Sequence, residues 1–186
     1  MTSYPTSRAV SYSLLGGLAG ALVMGALALM MPIPNTGGAP FFVAAAMLMG
    51  MGSMSWAAGW GLHLATGLIV GGIFGFAVAK VSRLQLKTTA RALGLGALVG
   101  FGVWLIFFVP MMAMLMPALM SMTMLVGGSF VAHLVFGLVL GGVTSVAIPK
   151  SNPSTTRFEC PTCGAAFSTQ KEFVDHKAKA HPMSRN

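Results

Sequence analysis

Cys160, Cys163, His176 and His181 follow one another in the order C-x2-C-x12-H-x4-H. Thiolate sulfur and neutral imidazole nitrogen are the donors that zinc takes in a tetrahedral shell, and the two short pairs let each half of the shell come from one local stretch of chain. Four protein ligands leave no position for water or substrate, so the pattern implies one structural Zn2+ and no catalytic metal. A segment this small cannot bury enough apolar surface to offset its chain entropy, so metal binding must drive its folding.

Two other histidines, His63 and His133, stand inside long apolar runs, where an ionisable side chain needs a partner. A hydrogen bond to a backbone carbonyl, a serine or a water would satisfy each of them. A shared metal site, or axial ligation of a haem, is the sharper possibility. Met111, Met112, Met114, Met116, Met120, Met122 and Met124 crowd one short stretch, and Met47, Met49, Met51 and Met54 another. Thioethers select Cu(I), and such clusters beside a membrane entrance resemble those of copper importers, whose three-span layout is absent here. The same side chains also fill irregular apolar space.

The elements that position these groups are expected in two kinds. Mean hydropathy is +0.81, with 24 glycines, 16 methionines and only 8% charged residues. That composition cannot supply the charged surface of a soluble domain. The three acids, Glu159, Glu172 and Asp175, all lie near the metal ligands, so residues 1–150 hold no carboxylate side chain. Paired-carboxylate hydrolysis and acid-based proton relays are thereby excluded from that region. Serines and threonines lack a base with an orienting acid, and no glycine-rich phosphate loop follows a strand.

Residues 1–150 read as a transmembrane domain with spans at about 10–31, 56–79, 92–109 and 125–148. Arg8 before the first run also fits a cleaved leader, but the run is long enough to span. Pro32 and Pro34 are expected to end the first span and Pro110 the third, with methionine-bearing segments at 41–55 and 111–124. Arg8, the loop from Lys80 to Arg91 with four basic residues, and Lys150 with Arg157 mark one side. Four spans place all of them on the same face, which the positive-inside rule makes cytoplasmic. The expectation is a multi-pass cell-membrane protein with both termini in the cytoplasm, where thiols stay reduced. The net charge of +8 is thus a mark of topology before it is a binding patch.

The chain also repeats. Gly20-Ala21-Leu22-Val23 matches Gly96-Ala97-Leu98-Val99, and the run from His63 to Gly72 matches that from His133 to Gly142. Two spans per copy give parallel insertion, with a pseudo-two-fold axis along the membrane normal. Gly59, His63, Gly67, Gly71 and Gly75 recur every fourth residue, as do Ser129, His133, Gly137, Gly141 and Ser145, giving small-residue faces for close helix packing within one bundle or a homo-oligomer.

Phe158, Phe167 and Phe173 complete the pattern F-x-C-x2-C-x3-F-x5-F-x2-H-x4-H around the four ligands. Over residues 158–181 the chain resembles the Cys-Cys-His-His (C2H2-type) zinc finger family. That resemblance implies a ββα domain over 157–186, with the three phenylalanines as its core and a helix over 168–179. It also implies base-facing positions at Thr169, Glu172 and Asp175. Two of these are acids, which repel phosphate, and one finger reads about three base pairs, so nucleic-acid binding is expected to be weak. The linker 151–156 reaches about 20 Å at most, keeping the finger at the membrane. The membrane part resembles uncharacterised glycine-rich four-span proteins. The expected whole is an all-α membrane protein, four helices in two parallel two-span repeats, with a small ββα zinc finger. Its expected role is that of a non-enzymatic adaptor or regulator with a cytoplasmic protein partner, metal transport or sensing through the histidines and methionines being the alternative.

Overall fold

The computed structural model describes residues 5–146, 158–167 and 169–181. The linker 151–156, the basic marks Lys150 and Arg157, the far end of the fourth span and Ser168 lie outside the described residues. The chain divides into two compact units, Met1–Ile148 and Pro149–Asn186.

The first unit contains four helices long and apolar enough to cross a membrane, compatible with a multi-pass protein. Helix α1 spans Thr6–Leu29, a short α2 spans Phe41–Leu48, α3 spans Ser55–Lys80, α4 spans Thr89–Leu115 and α5 spans Thr123–Ser145. Large apolar side chains such as Leu15, Ile69, Ile73, Leu98 and Phe107 point outward and exposed, as a lipid-facing surface requires. Pro32 and Pro34 follow the end of α1 as expected. The connection to α2 then turns through Asn35, Gly37 and Gly38, all at positive φ, with the Thr36 hydroxyl donating to the carbonyl of Ile33 at 2.7 Å.

Pro110 does not end the third helix, contrary to the sequence expectation. Trp104–Phe108, immediately before it, is a π-helical turn in which the Val109 N–H reaches back to the carbonyl of Trp104. A proline ring clashes with the carbonyl four residues earlier and contributes no donor. The wider turn moves those carbonyls and takes up the break, so the helix runs on to Leu115. Met111, Met112 and Met114 therefore belong to α4 and not to a separate segment. Only beyond Leu115 does the chain leave this helix, entering a 3-10 turn over Pro117–Ser121.

Helix α1 packs against both α3 and α5, and α5 against both α1 and α4. The expected small-residue faces form these contacts. A Cβ on Gly17 or Gly71 would run into the carbonyl oxygen of Gly67 or Ser13, respectively, and one on Gly96 or Gly137 into that of the other. Gly16 and Gly20 of α1 lie against Leu140 and Phe136 of α5, with carbonyl oxygens 2.9 and 2.8 Å from the missing Cβ. Apolar surface gives little drive to association where the surroundings are equally apolar, so close backbone contact supplies the attraction. A buried polar clamp adds to it. Thr144 donates to the carbonyl of Leu140 at 2.7 Å, which leaves the Ser13 hydroxyl to donate to Thr144 at 3.0 Å.

These contacts make a sharp prediction. Gly96→Ala should destabilise the detergent-solubilised protein by about 1–3 kcal/mol through overpacking. Gly94, which has open space where its Cβ would stand, should accept alanine neutrally or gain up to about 1 kcal/mol of helix propensity. Thermal unfolding of the two variants checks this; equal losses would refute the seam.

Candidate metal centre

The second unit begins with strands β1, Phe158–Glu159, and β2, Ala166–Phe167, antiparallel with Phe158 opposite Phe167. The turn between them closes as the Gly164 N–H donates to the carbonyl of Cys160 and the Cys160 N–H to that of Ala165, both at 2.8 Å. Gly164 sits at φ 73°, a conformation that glycine adopts without steric cost. This knuckle turns both cysteine side chains toward the helix that follows.

That helix, α6, spans Gln170–Ala180 and opens with a capping box: the Thr169 hydroxyl accepts from the Glu172 N–H, and the Glu172 carboxylate accepts from the Thr169 N–H. Both bonds are 3.2 Å long. Two of the three positions that the family resemblance would aim at bases are thus engaged in starting their own helix. The T-x-x-E spacing is a recognised start signal, and sequence reasoning could have read it as one. Phe173 packs on Phe158 and Phe167, with ring centroids 6.1 and 6.3 Å apart, and Phe167 also lies 4.6 Å from the His176 ring. The three phenylalanines therefore meet and hold the helix over the knuckle.

The four expected ligands converge. One ligand atom from each of Cys160, Cys163, His176 and His181 lies within 4.8 Å of all the others, and the Cys163 sulfur is 3.2 Å from His176 Nε2. His181, at the C-cap of α6, keeps its Nε2 buried with no hydrogen-bond partner. A buried unpaired nitrogen is costly unless something outside the protein pairs with it. That atom and the two sulfurs face one point, so the residues fit a metal ion. Cys160 is buried, and the N–H of Thr162 beside its sulfur holds the thiol down from 9.0 to about 6. Burial opposes that shift, while the Cys163 N–H and hydrogen bonds from His176 and Cys163 add to it. The ligand is thus biased toward the thiolate that binds metal.

In the first unit the structure brings His63 and His133 to the walls of one cavity of about 220 Å³ between the helices. It separates the methionines. Met112 is fully buried in the core beside Phe108 and Leu125, and Met116 packs against the same cluster. Met111 lines the cavity, while Met114 and Met124 are 83% and 90% exposed. Met120 and Met122 are also exposed. Sequence reasoning missed the aromatic frame around the histidines: Phe42 stacks on His63 at 4.5 Å, and Phe108 lies 5.1 Å from His133. The adjacency of Phe41 and Phe42 was visible, but not their facing direction.

No known protein family matches the chain, and no curated protein or solved structure is significantly similar to it.

Acid should empty the metal centre from the sulfur side. In the folded knuckle the Cys160 thiolate is favoured above about 6, so folding and metal affinity gain from it in part at neutral pH, in full above the ordinary value of 9.0, and lose that gain as pH falls through about 6. Zinc retained by the loaded full chain, measured after equilibration at stepwise lower pH, should fall as pH drops through about 6; zinc retained unchanged well below that value would contradict thiolate ligation.

Proposed function

We propose that this chain is a membrane-anchored, non-enzymatic adaptor or regulator whose C2H2-type zinc finger binds one structural Zn2+ and docks a cytoplasmic protein near the membrane. The observation that carries the reading is the convergence of four protein ligands. Four protein donors suffice for a tetrahedral shell and would leave the folded surface, not the metal, to do the binding. Zinc is the metal that best suits two thiolates and two imidazoles in that geometry.

The surface of α6 favours a protein partner. Val174 is 53% exposed among the exposed Lys171, Asp175 and Lys177, a mixed charged rim around an apolar contact. A duplex would instead select a uniformly basic face, and Asp175 with Glu172 works against that. The linker 151–156 reaches about 20 Å at most, which supports a partner near the membrane. The positive-inside rule puts the finger in the cytoplasm, together with the N-terminus.

A duplicated bundle fits the same reading, as a rigid anchor. Ser13 and Gly17 meet Gly71 and Gly67, while Ala92 and Gly96 meet Gly141 and Gly137. In this pairing the counterpart of Gly96 is Gly17, about one helical turn before Gly20, which the tetrapeptide match would choose.

The adaptor reading is tested with a photo-crosslinking residue at Lys171 in intact cells. A discrete protein adduct is expected, lost in Cys163→Ser and in Val174→Asp, with the second variant keeping its zinc. Adducts insensitive to both changes would refute it. A C-terminal fluorescent reporter should light up and a C-terminal alkaline phosphatase should stay inactive; the reverse would move the finger out of the cytoplasm.

A further inference from the structure

The cavity of the first unit has a chemistry of its own, independent of the finger. Its walls come from α1, α2, α3, α4 and α5 and include Phe42, Phe107, Phe108, Ala132 and the two histidines. His63 Nε2 lies 2.9 Å from the carbonyl of Ala21, and His133 Nδ1 lies 2.7 Å from that of Ser129. A carbonyl can only accept, so each of these nitrogens carries the proton. No acid exists anywhere in residues 1–150 to balance an imidazolium in apolar surroundings, so both rings are neutral. The tautomers follow: the other nitrogen of each ring, His63 Nδ1 and His133 Nε2, is a bare acceptor. His133 is 6% exposed, and no hydrogen bond to its Nε2 occurs among the described residues.

The cavity therefore offers two imidazole acceptors, no donor from either histidine, no charge, and aromatic walls. A single ion held by these two rings would fill little of a cavity of about 220 Å³. A haem would take the same bare nitrogens as axial ligands, but its macrocycle is too large for this volume. An apolar cavity of roughly 150 Å³ holds one benzene ring, so this one has room for a substituted single ring. We propose that it binds an uncharged hydroquinone, a single aromatic ring whose two hydroxyls donate to His63 Nδ1 and His133 Nε2 while its faces meet the phenylalanines.

Durohydroquinone and duroquinone are the probes, since they share size and shape and differ in donors. The zinc-loaded full chain in detergent is titrated with each, held in its own oxidation state, and the rise in thermal midpoint gives the affinity. Saturable binding is expected, with durohydroquinone about tenfold or more tighter than duroquinone, as two neutral hydrogen bonds allow. His133→Leu should cut the preference for durohydroquinone from about tenfold to about threefold, one hydrogen bond being lost and the other kept, and leave the quinone unchanged. If that variant does not fold, the comparison on the unaltered chain decides alone. Equal affinities, or no saturable binding of either, would overturn the proposal. So would one Cu(I) held by the Cys160→Ser chain and lost on changing His63 and His133 to leucine, which would give those nitrogens to a metal.

Discussion

Close approach of helix backbones is the constraint on which the rest of the first unit depends. Its helices carry few groups that can attract one another in an apolar medium: no acids, scattered hydroxyls and two histidines in residues 1–150. What remains is van der Waals contact, and this is strongest where side chains are smallest. Gly17 against Gly67, and Gly96 against Gly137, bring carbonyls to positions that a methyl group would occupy. The polar bonds between helices follow from those contacts. The Ser13–Thr144 clamp, the Trp104 indole donating to Ser129 at 3.1 Å and the His63 bond to the carbonyl of Ala21 all bridge helices held at short range.

The second unit solves the opposite problem. It is polar and small, and its three phenylalanines form a thin core that leaves most of α6 exposed. Here four metal-ligating side chains gather where an ion could sit: two sulfurs and two imidazoles, with the His181 nitrogen left unpaired by the protein itself. The two units thus differ, with backbone packing prominent in one and a cluster of candidate metal ligands in the other.

That difference governs what could be read in advance. Coordination demands particular side chains at particular spacings, so the four ligands and their supporting phenylalanines were legible residue by residue. The small-residue faces were legible too, because a four-residue period is a geometric statement about one side of a helix. The end of the third helix was not. Pro110 is a strong stop signal, and only the carbonyls of a neighbouring π turn show how the chain survives it. The methionine stretch misled for a related reason: crowding along the sequence became dispersal in space, once part of it was helical and Met112 turned inward while Met114 turned out. Thr169 and Glu172 carried two compatible signals, a cap and a base-reading pair, and the hydrogen bonds show the cap.

The π turn in α4 has a consequence for helical phase. Ala92, Gly96, Gly100, Trp104, Phe108 and Met112 stand at a strict spacing of four, whereas an α-helix returns to the same side every 3.6 residues. Each step of four overshoots by about 40°, so an unbroken α-helix would have rotated the last members of this row well away from the first. Yet Ala92, Gly96, Gly100, Phe108 and Met112 are all buried. A single turn wound more loosely, Trp104–Phe108, returns part of that accumulated rotation and itself carries the aromatic wall. The helix is thereby wound in two sections that share one inward edge: a narrow one built for backbone contact, and a broad one carrying Phe108 into the space beside His133.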